Sequence, residues 1–426
     1  MLIMFKRVLS IAWAVMTVSA LFGQASYRAT FYVDGAKEKE QNRSHTSLES
    51  VEPNASVVYA TGGVELYLTP MRLSKTSGSI SDANRRETGR NSVILADDGS
   101  HVWMDFCDVN SHTPQADGIS ASGDGTLINI QKGTVNISRP GSAAVNATNK
   151  SKINVQELTV NVYSNQSPFF YAGNDGRVEI TGATGESSGQ ASPLFYASAG
   201  TVKAEKCRMS AAKWTIGSVD KGILELNKNE LKAGGICGFL VYSVDEKRSE
   251  GIGGRLILKK NKITVSEGPL ILVTNTAGHI TLSNNTISYK GDEAISVKAD
   301  EWGSKGSNYG HATVVLENQT LKGDIFVDSI SSLSLYLEKG GVLNGCITGP
   351  DVSSRKAKVY LKKGAKWSVK GECHLTAVSF EQPLEKALKQ IKGKHVIYYD
   401  PSDPANSDLG GKEYKTGGGK LVPIKK

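Results

Sequence analysis

Hydrophobic residues in this chain alternate within short runs, and the runs repeat. In Gly278-His279-Ile280-Thr281-Leu282-Ser283-Asn284-Asn285-Thr286-Ile287, the side chains of Ile280 and Leu282 share one face of a strand, and Ile287 opens a second strand beyond an asparagine corner. Asn285 is the residue expected to take the left-handed conformation that such a corner needs. The same phrase recurs as Gly254-Arg255-Leu256-Ile257-Leu258 running through Asn261 to Ile263, and as Gly222-Ile223-Leu224-Glu225-Leu226 running through Asn229 to Leu231.

First anchors at Val102, Ile128, Ile153, Val178, Val202, Leu224, Leu256, Ile280, Val314, Leu335 and Val359 set a period near 24 residues, with insertions in some turns. A second aliphatic follows in most repeats, among them Val109, Val135, Val160, Met209, Leu321 and Val342. It is missing after Val178, where Gly185 stands, and after Val359. A third strand-like segment completes many repeats, for example Phe169-Phe170-Tyr171, Leu194-Phe195-Tyr196 and Leu240-Val241-Tyr242. Three short strands per repeat without helical periodicity predict an all-β solenoid of about 12 coils over residues 61–380, each coil burying its apolar face against its neighbours. Polar, glycine-rich insertions at 245–254 and 300–310 are expected to leave the rod as loops, where function usually sits.

The flanks read differently. Lys6 and Arg7, an apolar run from Val8 to Phe22 and small residues at Gly23 and Ala25 predict a signal peptide over 1–25, with a retained membrane anchor as the alternative. Residues 26–60 read as an N-terminal arm and cap. Residues 381–426 read as a C-terminal cap helix, opened by Pro383 with Leu384, Ala387, Leu388 and Ile391 on one face, followed by a basic tail. No further segment is apolar and long enough to span a bilayer.

The repeats with their asparagine turns, together with the stretch from Val314 to Leu337, resemble the pectin-lyase-like right-handed parallel β-helix proteins, and within them secreted, adhesin-like β-helix proteins of bacteria. The resemblance covers roughly residues 55–380 and implies the fold. It implies little about activity, because this scaffold carries lyases, hydrolases, esterases and inert adhesive rods alike.

Composition narrows the chemistry. The formal charge of +8 is not gathered into an aromatic-interleaved stripe, so nucleic acid is not an expected partner, and weak attraction to acidic polysaccharide is the easier reading. Cys107, Cys207, Cys237, Cys346 and Cys373 form no CxxC pair; they read as buried thiols, with a disulfide scaffold as the alternative. No cofactor or metal is expected. Polygalacturonase-like members of the resembled family carry Gly-His-Gly and paired aspartates, whereas Gly278-His279-Ile280 lacks the second glycine and His279 falls on the outward phase. Asp97-Asp98 is followed by Gly99 and reads as a turn rather than as the paired carboxylates of a glycosidase. Pectate-lyase-like members use clustered acids for calcium and an arginine base; Asp105, Asp108 and Asp117 with Arg177, Arg208 and Arg255 are the available residues, but no acidic ladder repeats at the coil period.

Asn229, Asn261 and Asn285 recur at one corner and predict a coil-to-coil amide ladder. Tyr171 and Tyr196 stand one repeat apart and predict a tyrosine column, continued by Tyr242, that is either an outward ligand-binding face for sugar rings or a packed ladder. The resulting expectation is an exported, non-enzymatic, adhesin-like rod contacting surface glycan or protein ligands. The alternative is a polysaccharide lyase or glycoside hydrolase on the same fold.

Overall fold

A computed structural model describes residues 27–80, 82, 84–245, 253–350 and 356–425, so the predicted leader and most of the 245–254 insertion lie outside the described residues. One coil consists of strands Phe170–Gly173, Arg177–Thr181 and Thr184–Ser187. Each pairs in parallel, residue for residue, with Phe195–Ser198, Thr201–Glu205 and Arg208–Ala211 of the next coil. Repeating this step builds three parallel sheets along a rod, the first of them thirteen-stranded from Arg28–Asp34 to Ile347–Thr348. The chain is a parallel β-solenoid of about 15 turns, not 12, which at the ~4.8 Å spacing of paired strands makes a stack roughly 70 Å long.

The extra turns lie at the two ends, and the pattern of the first is polar. Arg28–Asp34, Glu40–Arg43 and Thr46–Ser50 pair in parallel with Ala55–Thr61, Glu65–Leu68 and Met71–Lys75, so the stretch expected to be an arm contains the first coil itself. Gln41 and Arg43 stand opposite the buried Leu66 and Leu68, and the Arg43 guanidinium lies 5.3 Å over the Phe31 ring. Polar residues at core-facing positions of a terminal coil discourage another chain from adding to its edge. At the other end the helix is a single turn, Leu384–Leu388, with Ala387 and Leu388 buried. The region expected to be a tail carries Val396–Tyr399 and Lys420–Pro423, which continue the stack in parallel on Cys373–Leu375.

Inside the rod, Phe170 and Phe195 stack with ring centroids 5.9 Å apart, leaving Tyr171 and Tyr196 on the outer face. Gly185 replaces an aliphatic because a Cβ there would lie 3.0 Å from the Phe169 ring and closer still to the Val160 carbonyl. After Val359 the missing anchor is Trp367, fully buried one residue later than the repeat predicts. The same lengthened corner makes Leu343, not Val342, the buried residue of its coil.

The asparagine ladder forms. Asn229 Nδ2 donates to Asn261 Oδ1 at 2.9 Å, Asn261 Nδ2 to Asn285 Oδ1 at 3.0 Å, and Asn285 Nδ2 to Gln319 Oε1 at 3.1 Å. The left-handed residue is not the ladder residue, however. It is the one before, at Lys228, Lys260 and Asn284 with φ of 56°, 55° and 57°. The strained residue points out at the apex and the amide turns in, where it satisfies the backbone N–H groups of the neighbouring corner.

Candidate functional site

The tyrosine column lies on the outer face of the first sheet. Tyr171 and Tyr196 are register partners, their rings edge to face with centroids 5.3 Å apart. Tyr242 joins from a different register: its strand partner is Asp220, while the column position above Tyr196 is Ser218. The small serine lets Tyr242 lean back across the intervening coil, so that its hydroxyl donates to Tyr196 Oη at 2.9 Å and the two rings lie 6.4 Å apart. The three residues chosen from the sequence therefore do come together.

They are covered as well as assembled. Over Tyr171 the Arg86 guanidinium sits 5.0 Å from the ring, carried by the short helix Arg85–Thr88. The backbone of that helix is tied to the sheet: Glu87 O accepts from Ser122 Oγ and Thr148 Oγ1 at 2.8 and 2.6 Å, and Arg86 O accepts from Asn146 Nδ2 at 2.7 Å. At the other end Trp302, from the 300–310 insertion, packs edge to face on Tyr242 at 5.3 Å. Burial raises the hydroxyl pKa of Tyr171, Tyr196 and Tyr242 above the ordinary tyrosine value. Beside them Asp220 is buried, and desolvation lifts its carboxyl to about 6 against the pull of Lys221 and of hydrogen bonds from the Val244 N–H and Ser243.

Beyond Trp302 the same face opens into a cleft of about 220 Å³. Pro269, Leu272 and Ile236 give it an apolar lining, Trp302 an aromatic wall, and Glu293, Asp300 and Glu301 a set of carboxylates. Lys298 pairs with Asp300 at 3.1 Å. Leu240, Leu272 and Cys237 form, with Tyr242, a second apolar cluster outside the main core, against which Tyr196 and Trp302 pack. An aromatic wall beside hydrogen-bonding carboxylates is chemistry that holds a sugar ring by its apolar face and its hydroxyls. The signal for this cleft in the sequence was a lone tryptophan, Trp302, in a polar insertion already marked as a loop; its contact with Tyr242, 60 positions away, was not readable.

The other candidates are dispersed. His279 is exposed on the solvent side of Ala277–Ser283. Asp98 is left-handed at φ 49°, in a turn, and Asp97 accepts from Tyr59 Oη at 2.9 Å. Asp105 and Asp108 belong to strand His101–Ser111, whereas Asp117 is buried under the helix Arg85–Thr88, accepting from Ala143 N and Asn146 Nδ2 at 2.6 and 2.8 Å. Arg177 and Arg208 are paired with Glu179 and Glu230. The five cysteines are free and buried. Among the described residues no group of three His, Cys, Asp or Glu side chains is placed to hold a metal ion, and no helix is long and apolar enough to cross a membrane.

Comparison of the chain with protein-family models, curated proteins and solved structures returns no match.

Proposed function

We propose that the protein is an exported, non-enzymatic binding rod of the adhesin-like kind, and that it holds a glycan ligand in the cleft beside Trp302. The observation that carries this reading is the junction of the tyrosine column with Trp302. A run of packed aromatics, Tyr171, Tyr196 and Tyr242, anchors a loop tryptophan that walls an open cleft lined by Leu272 and three carboxylates. The column then acts as support and the tryptophan as contact, a division that gives the loop a rigid base. The likeness of the repeats to pectin-lyase-like right-handed β-helices belongs to the same proposal, as does release to the cell surface, the surroundings or the periplasm.

The test incubates the protein with a panel of neutral, acidic and amino-sugar polysaccharides and reads retention and chain cleavage from the same tubes. Retention of a neutral or amino-sugar polymer that falls at least tenfold in Trp302→Ala, with no new chain ends, is the expected result. New reducing or unsaturated ends would replace this reading with the lyase or hydrolase alternative. Retention of those polymers unaffected by Trp302→Ala would remove the cleft from the proposal.

A further inference from the structure

We propose that one corner of the rod is a docking ridge for a linear sulfated glycan, separate from the Trp302 cleft. The ridge is the turn between the second and third sheets in three consecutive coils. Its apex residues are Lys206, Lys228 and Lys260, all exposed, with φ of 57°, 56° and 55°. Glycine and asparagine enter the left-handed region more readily than lysine, and Gly182, Asn284 and Asn318 fill the same apex in other coils, but so do Phe106, Lys132 and Glu157 with φ of 53°, 59° and 54°. The corner therefore calls for no one residue type, and what sets these three coils apart is lysine at the apex three times in succession.

The apices are held in line. Lys206 N donates to Asn227 O at 3.3 Å, Lys228 N to Lys259 O at 3.0 Å and Lys260 N to Ser283 O at 2.9 Å, and the amides of Asn229 and Asn261 lock the corners from inside. Stacked parallel coils repeat every ~4.8 Å, so the three lysine backbones stand in register on one edge, the middle ammonium leaning to Glu205 and the outer two unpaired among the described residues. Neighbouring positions deepen the field. Residues 203–208, 223–232 and 255–262 together hold nine Lys and Arg against three Glu, a net of +6 in a chain whose whole formal charge is +8. Some of these are paired: Lys228 with Glu205 at 3.1 Å, and Arg208 and Lys262 with Glu230 at 2.9 and 3.0 Å. Among the described residues Lys206, Lys232, Lys259 and Lys260 form no ion pair.

A row of like charges at coil spacing is costly to assemble unless something neutralises it, and its geometry names the complement. The coil repeat is close to the advance of one pyranose unit along a linear glycan, so a polymer with about one anion per sugar meets one ammonium per coil. Lysine dominates over arginine on the ridge. Lysine meets an oxyanion as a point charge from any side, without the bidentate geometry of arginine, so such a ridge draws its affinity from the charge density of the polymer, which is highest in sulfated glycans. The three apices offer no aromatic side chain on which nucleic-acid bases would stack.

The experiment measures binding of size-defined heparin oligosaccharides to the whole protein across a salt series. In the triple variant Lys206→Asn, Lys228→Asn, Lys260→Asn, affinity at about 0.1 M salt should fall roughly fivefold per lysine, on the order of 100-fold in all. The log–log salt slope should drop by about two to three. Asparagine suits the left-handed apex, so the thermal midpoint should hold or rise, which separates lost binding from lost fold. A second triple, Lys322→Asn, Lys339→Asn, Lys363→Asn, removes the same charge from exposed positions on later coils and should cost less than threefold. Equal losses from the two triples, or wild-type affinity in the ridge triple, would overturn the ridge. Tighter binding of polygalacturonate or single-stranded DNA than of heparin would overturn the sulfate assignment. Trp302→Ala should leave heparin binding intact, so failure of the cleft and failure of the ridge are distinguishable.

Discussion

Asn261 is the residue whose removal most directly tests how the stack is held. Its side chain is 1% exposed and makes four hydrogen bonds: it accepts from Asn229 N and Nδ2, both at 2.9 Å, and donates to Leu226 O at 2.9 Å and Asn285 Oδ1 at 3.0 Å. At a net value near 1 kcal/mol each, with an added penalty for buried partners left unpaired, Asn261→Ala should destabilise by about 3–5 kcal/mol. Each coil is stabilised mainly by its neighbours, so the loss should be local. The assay is denaturant unfolding together with amide exchange resolved along the chain. The Asn229 amide and those of the flanking strands Ile223–Asn227 and Arg255–Lys259 should lose protection, while strands near Val102 and Val359 keep theirs. Asn229→Ala and Asn261→Ala both remove the one bond their side chains share, Asn229 Nδ2 to Asn261 Oδ1, so the double variant should cost less than the sum of the singles by about 1 kcal/mol. A loss below about 1 kcal/mol with exchange unchanged at Asn229 would refute the ladder as a stabilising device.

Two further perturbations probe the core and the outer face. Gly185→Val should destabilise by several kcal/mol, because its Cβ would meet the Phe169 ring at 3.0 Å and the Val160 carbonyl more closely; a thermal midpoint within a degree of wild type would contradict the packing. Asp220 has a raised folded pKa of about 6 against an ordinary 3.8. Between these values the folded state binds more protons than the unfolded one, so stability contributed at this site falls as pH rises from about 4 to 6. Asp220→Asn should therefore stabilise the protein at pH 7, on the order of 2 kcal/mol, and change it little at pH 4. Equal effects at both pH values would show that the carboxyl is not desolvated as its burial implies.

How much of this could be read from the sequence follows from where repetition acts. The core-facing positions are repeated because each inward side chain meets the same position one coil away. Ile280 lies between Leu256 and Val314, and Leu224 between Val202 and Leu256. Period and alternation therefore located the sheets, the tyrosine register and the amide ladder. Failures occurred where a local substitution compensated for a break in the period, as when Trp367 fills the place of an aliphatic one residue late. The first coil escaped for a related reason. A terminal coil has a core on one side alone, so Gln41 and Arg43 can occupy core-facing positions and erase the hydrophobic signature.

The outer faces obey no such rule, and that is where the proposed cleft and ridge lie. An outward residue is constrained by register neighbours only through its own row, so Tyr171 beneath Tyr196 was legible and Trp302 against Tyr242 was not. The same reasoning makes the lysine apices informative. The apex admits residues as different as Phe106, Glu157, Gly182 and Asn284, and the inside of the corner is filled by the residue that follows it, Cys207, Asn229 or Asn261, so neither fixes the outward side chain at Lys206, Lys228 and Lys260. In a solenoid, an outward side chain repeated through three successive coils at a position that admits many others is open to selection by a partner, and the shared charge of these three is the ground for the proposed anion that repeats as the coils do.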